Sequence, residues 1–103
     1  MKNIAKFEII GNLGKLNPRE KVAYASIASE RNYKDAGEWK TITSWNDVTF
    51  FDPKIIERLA SCPIGSLVRV VGNISNQSRE VDDNTEYYTL LDGREFAVLA
   101  EKP

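Results

Sequence analysis

Residues 41–51 read T-I-T-S-W-N-D-V-T-F-F, and no other stretch constrains the chain so tightly. In an extended strand, successive side chains point to opposite faces. One face then carries Ile42, Ser44, Asn46, Val48 and Phe50, and its apolar end reads as core. The other carries Thr41, Thr43, Trp45, Asp47, Thr49 and Phe51, with Trp39 upstream in the same phase. That second face is polar, yet holds aromatic rings at three positions. Two readings are open. The rings stack flat ligands such as unpaired bases, or they fill a second core layer or a subunit interface.

The rest of the chain supplies partners for such a strand. Residues 4–10 alternate as a half-buried strand. They run into Gly11-Asn12-Leu13-Gly14, where glycine inside a strand pattern predicts a bulge or bend serving two parts of a sheet. Residues 16–21 read as an irregular link, and residues 22–30 as a second strand with Ala23, Ala25 and Ile27 on one face. Residues 31–40 read as a hairpin connection turning at Asp35-Ala36-Gly37. After Phe51, Asp52 as N-cap and Pro53 in the first turn start a short helix. Ile55, Ile56, Leu59 and Ala60 lie on its inner face, and Pro63 ends it.

Residues 66–75 are β-branched and strand-like, residues 76–84 polar and turn-like. Two apolar runs, T-E-Y-Y-T-L-L and R-E-F-A-V-L-A, flank Asp92-Gly93, a dipeptide that signals a two-residue hairpin. Three strands, a helix, and then one or two closing strands describe an all-β fold. The expected architecture is a five-stranded Greek-key barrel, the OB-fold, with a short α-helix between strands 3 and 4 and an added C-terminal strand over residues 94–100.

Composition narrows the chemistry. At 103 residues the chain is expected to form a single domain, 1–103. Its net charge of −1, from 14 basic and 15 acidic residues, excludes nucleic-acid binding by charge alone but leaves room for a locally basic groove. There is no histidine, which removes histidine acid–base chemistry and histidine-containing zinc sites. The single cysteine, Cys62, lies beside Pro63 in an apolar setting and reads as a buried structural thiol. No carboxylate pair, Gly-rich phosphate loop or metal-ligand cluster stands out, so neither an enzyme nor a cofactor is expected. The N-terminus is too short and charged for a signal peptide, and no apolar run approaches the ~18 residues of a membrane span. A cytoplasmic protein is the expectation.

Three motifs, in order and with matching spacing, carry a resemblance. I-I-G-N-L-G-K over residues 9–15 resembles the first-strand signature of the bacterial single-stranded DNA-binding (SSB) family. S-W-N-D-V-T-F-F over residues 44–51 falls where that family has T-E-W-x-x-V-x-x-F, and residues 65–74 resemble its G-S-x-V-x-V-x-G-x-L strand. The match spans about residues 3–91. The resemblance implies an OB-fold that oligomerises, as a dimer or tetramer, and wraps single-stranded DNA over aromatic and basic side chains.

By position, the family's stacking residues fall on Tyr33, Trp45 and Phe51. A fourth falls near Arg79, where this chain has no ring. The hairpin there is acidic, with Glu80, Asp82, Asp83 and Glu86 around Arg79, whereas the family's is basic. The family's long tail with an acidic tip is also not matched, so recruitment of partners through such a tail is not expected.

The candidate stacking set is therefore Tyr33, Trp39, Trp45 and Phe51, and the candidate phosphate set Lys34, Lys40, Arg69 and Arg79. The expected function is non-sequence-specific single-stranded DNA binding that protects the strand in replication, recombination or repair. The alternative is the same scaffold serving as a protein–protein interaction module, which the net charge and the missing fourth ring favour.

Overall fold

A computed structural model describes residues 3–103; Met1 and Lys2 of the N-terminal stretch lie outside the described residues. The elements run β1 (Lys6–Pro18), β2 (Ala23–Asp35), β3 (Glu38–Phe50), α1 (Pro53–Ala60), β4 (Leu67–Val81) and β5 (Asn84–Ala100). The strands close into a barrel in the order β1-β2-β3-β5-β4. This is the OB-fold, with its short helix between the third and fourth strands. Among the described residues no helix is long and apolar enough to cross a membrane.

The bend expected near Gly11 to Gly14 is there. β1 pairs with β4 from Lys6 to Asn12, then with β2 from Asn12 to Pro18. Its register slips between Leu13 and Lys15, which makes Gly14 the extra residue of a bulge. One strand thus serves two sides of a barrel. It also runs on through residues 16–18, where an irregular link was expected, because Asn17 and Pro18 still pair with Tyr24 and Ala23.

The interior follows the alternation. Ala23, Ala25 and Ile27 from β2, and Val48 and Phe50 from β3, are buried with Ile9, Leu13, Val68, Val70 and Phe96. Helix α1 adds Ile55 and Leu59 to the same core, while Ile56 is half-buried and Ala60 exposed. Its N-cap forms as expected, with Asp52 Oδ1 accepting from the Lys54 N–H at 2.9 Å. Arg58 ties the helix to the barrel, donating to the Phe96 carbonyl at 2.6 Å with its guanidinium over the Phe96 ring. Cys62 is buried and free.

Two segments read as loops are strands. Residues 31–40 continue β2 and β3 as a ladder to Asp35↔Glu38, with the turn at Ala36-Gly37. Residues 76–81 continue β4, paired with β5 out to Val81↔Asn84. The chain turns there at Asp82-Asp83, both left-handed at φ 50° and 66°, the geometry of a type I′ hairpin. Each ribbon extends past the core, and its polar composition reflects solvent on both faces.

The Asp92-Gly93 hairpin is not formed. β5 runs through it unbroken, and Gly93 lacks the positive φ that a type I′ turn demands. Asp92 and Gly93 instead pair in parallel with Thr49 and Phe50 of β3, closing the barrel. Gly93 is buried there, and a Cβ on it would enter the Phe50 ring, so glycine answers a close approach. The added C-terminal strand expected over residues 94–100 is the second half of β5, which pairs with Leu67–Val71 of β4.

Candidate nucleic-acid interface

The antiparallel register of β2 and β3 decides which side chains share the outer face. Tyr24 faces Thr49, Ser26 faces Asp47, Ala28 faces Trp45, Asn32 faces Thr41 and Lys34 faces Trp39. Side-chain contacts follow this pairing. Ser26 donates to Asp47 Oδ1 at 2.6 Å, and Thr41 donates to Asn32 at 2.9 Å. Lys34 holds its ammonium 5.8 Å from the centre of the Trp39 ring. Trp39 is 71% exposed, Trp45 61% and Phe51 49%, so these rings do not fill a second core layer of this chain.

The bulge in β1 shapes the seat of Trp45. A Cβ on Gly14 would collide with the six-membered part of the indole. The Cζ3–Cη2 edge of the indole therefore abuts bare backbone at Gly14, and most of the side chain stays open to solvent. The glycine of the first motif and the tryptophan of the second are thus two halves of one platform.

Of the other expected site residues, Tyr33 and Lys40 oppose each other in the ladder, on the reverse face of the ribbon from Trp39 and Trp45. Lys40 is also ion-paired to Asp35 at 3.0 Å. Arg69 stands on the outward side of the β1–β4 pair, with its Nε 2.7 Å from Glu8. It is not brought to the aromatic face. Arg79 is: its guanidinium lies 5.8 Å from the centre of the Tyr88 ring while it pairs with Glu86 at 3.2 Å.

Arg79 and Tyr88 form one wall of an open groove of ≈ 450 Å³, with Tyr24, Asp47, Thr49 and Phe51 on the other. A neighbouring groove of ≈ 260 Å³ shares Tyr24 and Asp47 and brings in Ser26 of β2 with Lys15 and Asn17 of β1. Phe51 also borders a third groove, of ≈ 500 Å³, formed with Pro53 and Ile56 at the start of the helix.

Sequence reasoning missed Tyr24, Tyr88 and Lys15. Tyr24 was legible, since the alternation of the second strand already puts it outside and hairpin pairing places it beside Phe51. Tyr88 was not, because its position depends on the ladder continuing through residues 76–81. It lies on β5, the strand facing Arg79's own, and pairs with Gln77 of β4. A ring thus stands close to the place where the family motif has one, but on the opposite strand of the hairpin. An aromatic face interleaved with cations can stack bases and meet phosphates. Glu80, Asp82, Asp83 and Glu86 oppose the second of these at the ribbon tip.

Solved structures with the same fold are numerous. The chain is similar to the mitochondrial single-stranded DNA-binding protein Rim1 of S. cerevisiae, with a TM-score of 0.71 and 22% identity over 98% of this chain and 99% of that one. It is similar to the Plasmodium falciparum SSB in a complex with ssDNA, with a TM-score of 0.77 and 22% identity over 96% and 97%. A single-stranded DNA-binding protein from Thermus aquaticus, a deletion mutant, aligns at a TM-score of 0.78 and 15% identity over 93% of this chain and 50% of that one. No curated protein sequence matches. The model of the single-strand binding protein family matches residues 4–97, covering the barrel, both ribbons and the platform of Gly14 and Trp45. The chain belongs to that family.

Proposed function

We propose that the chain binds single-stranded DNA without reading a fixed sequence, by stacking bases on the outer face of β2 and β3 and against the β4–β5 ribbon. The observation that carries this is the row of exposed rings, Trp39, Trp45 and Phe51, on one strand face, with Tyr24 beside them on β2 and Tyr88 across the groove. Lys34, Lys15 and Arg79 stand among those rings as phosphate contacts. Tyr33 and Lys40 join the path where the strand passes round the ribbon edge, and Arg69 where it crosses the β1–β4 side. Family membership and the Plasmodium complex with ssDNA support the same reading.

The protein acts as a single-domain, non-catalytic cytoplasmic binder that shields unpaired DNA during replication, recombination or repair. It works as a homo-oligomer, a dimer or tetramer. Exposed apolar side chains such as Ile10 on β1 support a closed symmetric assembly.

Titration with an unstructured mixed-sequence oligodeoxynucleotide, following tryptophan emission at two salt concentrations, tests the proposal. Quenching that weakens with salt, and affinity that falls in Trp45→Ala, where Trp39 remains to report binding, are the expected results. An unquenched, folded protein at low salt would turn the aromatic face over to the alternative, a protein–protein interface.

A further inference from the structure

Asp47 puts a negative charge in the middle of the binding face, where phosphate contact alone would favour a cation. It lines both the ≈ 260 Å³ and the ≈ 450 Å³ grooves, and Tyr24 borders each of them with it. Its neighbours two residues away on the same strand face are Trp45 and Thr49, about 7 Å along the strand. The Ser26 hydroxyl donates to Oδ1 at 2.6 Å and fixes the carboxylate's orientation. Among the described residues Oδ2 takes no hydrogen bond from the protein, and Lys15, in the same groove, forms no ion pair with it. A pre-oriented, acceptor-only group thus stands at the edge of the rings on which bases would stack.

An ionised carboxylate accepts hydrogen bonds and donates none, and its two oxygens suit a pair of parallel donors. In single-stranded DNA the Watson–Crick edges are free. Guanine offers N1–H and the N2 amino group side by side, matching the two oxygens. Cytosine and adenine each offer one amino group beside a ring acceptor. Thymine offers a single N3–H flanked by two carbonyl oxygens, which the carboxylate repels. The same charge keeps phosphate away, so the base edge rather than the backbone turns toward Asp47.

We infer that Asp47 is a base-selecting residue that favours amino-bearing bases, guanine first, over thymine in the groove beside Tyr24 and Trp45. The inference rests on the single-stranded DNA reading above and deepens it, giving a binder that follows no fixed sequence a preference in base composition.

The test compares oligo(dT) with an oligo(dT) of equal length carrying spaced dG, and with the same oligonucleotide carrying inosine, which lacks the N2 amino group, in place of dG. Affinities are measured at one salt concentration for wild type, Asp47→Asn and Ser26→Ala. Wild type is expected to prefer the dG oligonucleotide over oligo(dT) by about five- to tenfold, the low end of what one bidentate base contact discriminates. Inosine lowers that preference. Asp47→Asn tightens oligo(dT) binding and brings the ratio close to one, and Ser26→Ala, which frees the carboxylate, gives an intermediate ratio. Equal or tighter binding of oligo(dT) by wild type, or a ratio unchanged in Asp47→Asn, overturns the inference and leaves the single-stranded DNA reading standing. Binding of none of the oligonucleotides by folded protein overturns both.

Discussion

Trp45 and Gly14 lie far apart in the chain and make one contact surface, because the indole rests where a β-carbon would otherwise stand. Two substitutions separate the ring from its seat. Trp45→Ala removes a stacking platform, whose loss typically costs ~1–3 kcal/mol of binding per base. Gly14→Ala leaves the ring in place chemically but displaces it, and Gly14 is itself exposed. We expect Gly14→Ala to lose much of the same binding energy while thermal melting barely moves, a split read by pairing oligonucleotide titration with a melting curve. Gly93 shows the opposite balance. Its missing β-carbon makes room for the buried Phe50 ring, which packs edge-on against Phe96 with ring centres 6.3 Å apart. Gly93→Ala should destabilise the fold by ~1–3 kcal/mol through overpacking, seen as a lower urea midpoint.

At the scale of elements, the two ribbons hold most of what the sequence concealed. The alternation in residues 22–30 and 41–51 made the core side of β2 and β3 legible, down to Ala25, Ile27, Val48 and Phe50, and it placed Trp39, Trp45 and Phe51 on the outer face. Asp52-Pro53 made the helix start legible, and Gly11 and Gly14 marked the bend in β1. The ribbons stayed hidden because strand pattern is a signature of burial on one side. Once both faces of a hairpin meet water, nothing forces apolar and polar residues to alternate. Asp92-Gly93 misled for a related reason: a turn and a close approach both call for glycine, and only the Phe50 ring distinguishes them. The true turn, Asp82-Asp83, carries two acidic residues in left-handed backbone. Asp83→Gly relieves one of these positions and removes a charge from the tip. It should stabilise the ribbon by up to about 1 kcal/mol, measured in urea denaturation, and tighten DNA binding modestly.

For the molecule as a whole, charge and shape point the same way. The radius of gyration is 15.9 Å, against about 13 Å for a compact chain of this length. The excess is the reach of the ribbons beyond the barrel. A net charge of −1 gives no general attraction to DNA. The cations on the aromatic side, Lys15, Lys34 and Arg79, would neutralise few phosphates. With about 0.7 of a counterion released per contact on a single strand, these three give log K against log salt a slope of about −2 per chain, and Lys40 and Arg69 bring it to about −3.5. A slope steeper than that in salt titrations would mean that cations beyond these five join the path.

The barrel closes at a join of two residue pairs, Thr49 with Asp92 and Phe50 with Gly93, between strands that lie far apart in sequence. During synthesis the β2–β3 hairpin can zip as soon as it emerges, but its free edge has nothing to dock on until the chain reaches residue 93. The β1–β4 ladder likewise waits for Leu67–Asn73. Native pairing that spans the chain in this way folds slowly, because loop entropy is spent before the contacts repay it. A ribosome-bound nascent chain therefore exposes the rings of β3 before the barrel exists to hold them apart, and the polar residues between those rings keep that early hairpin in solution.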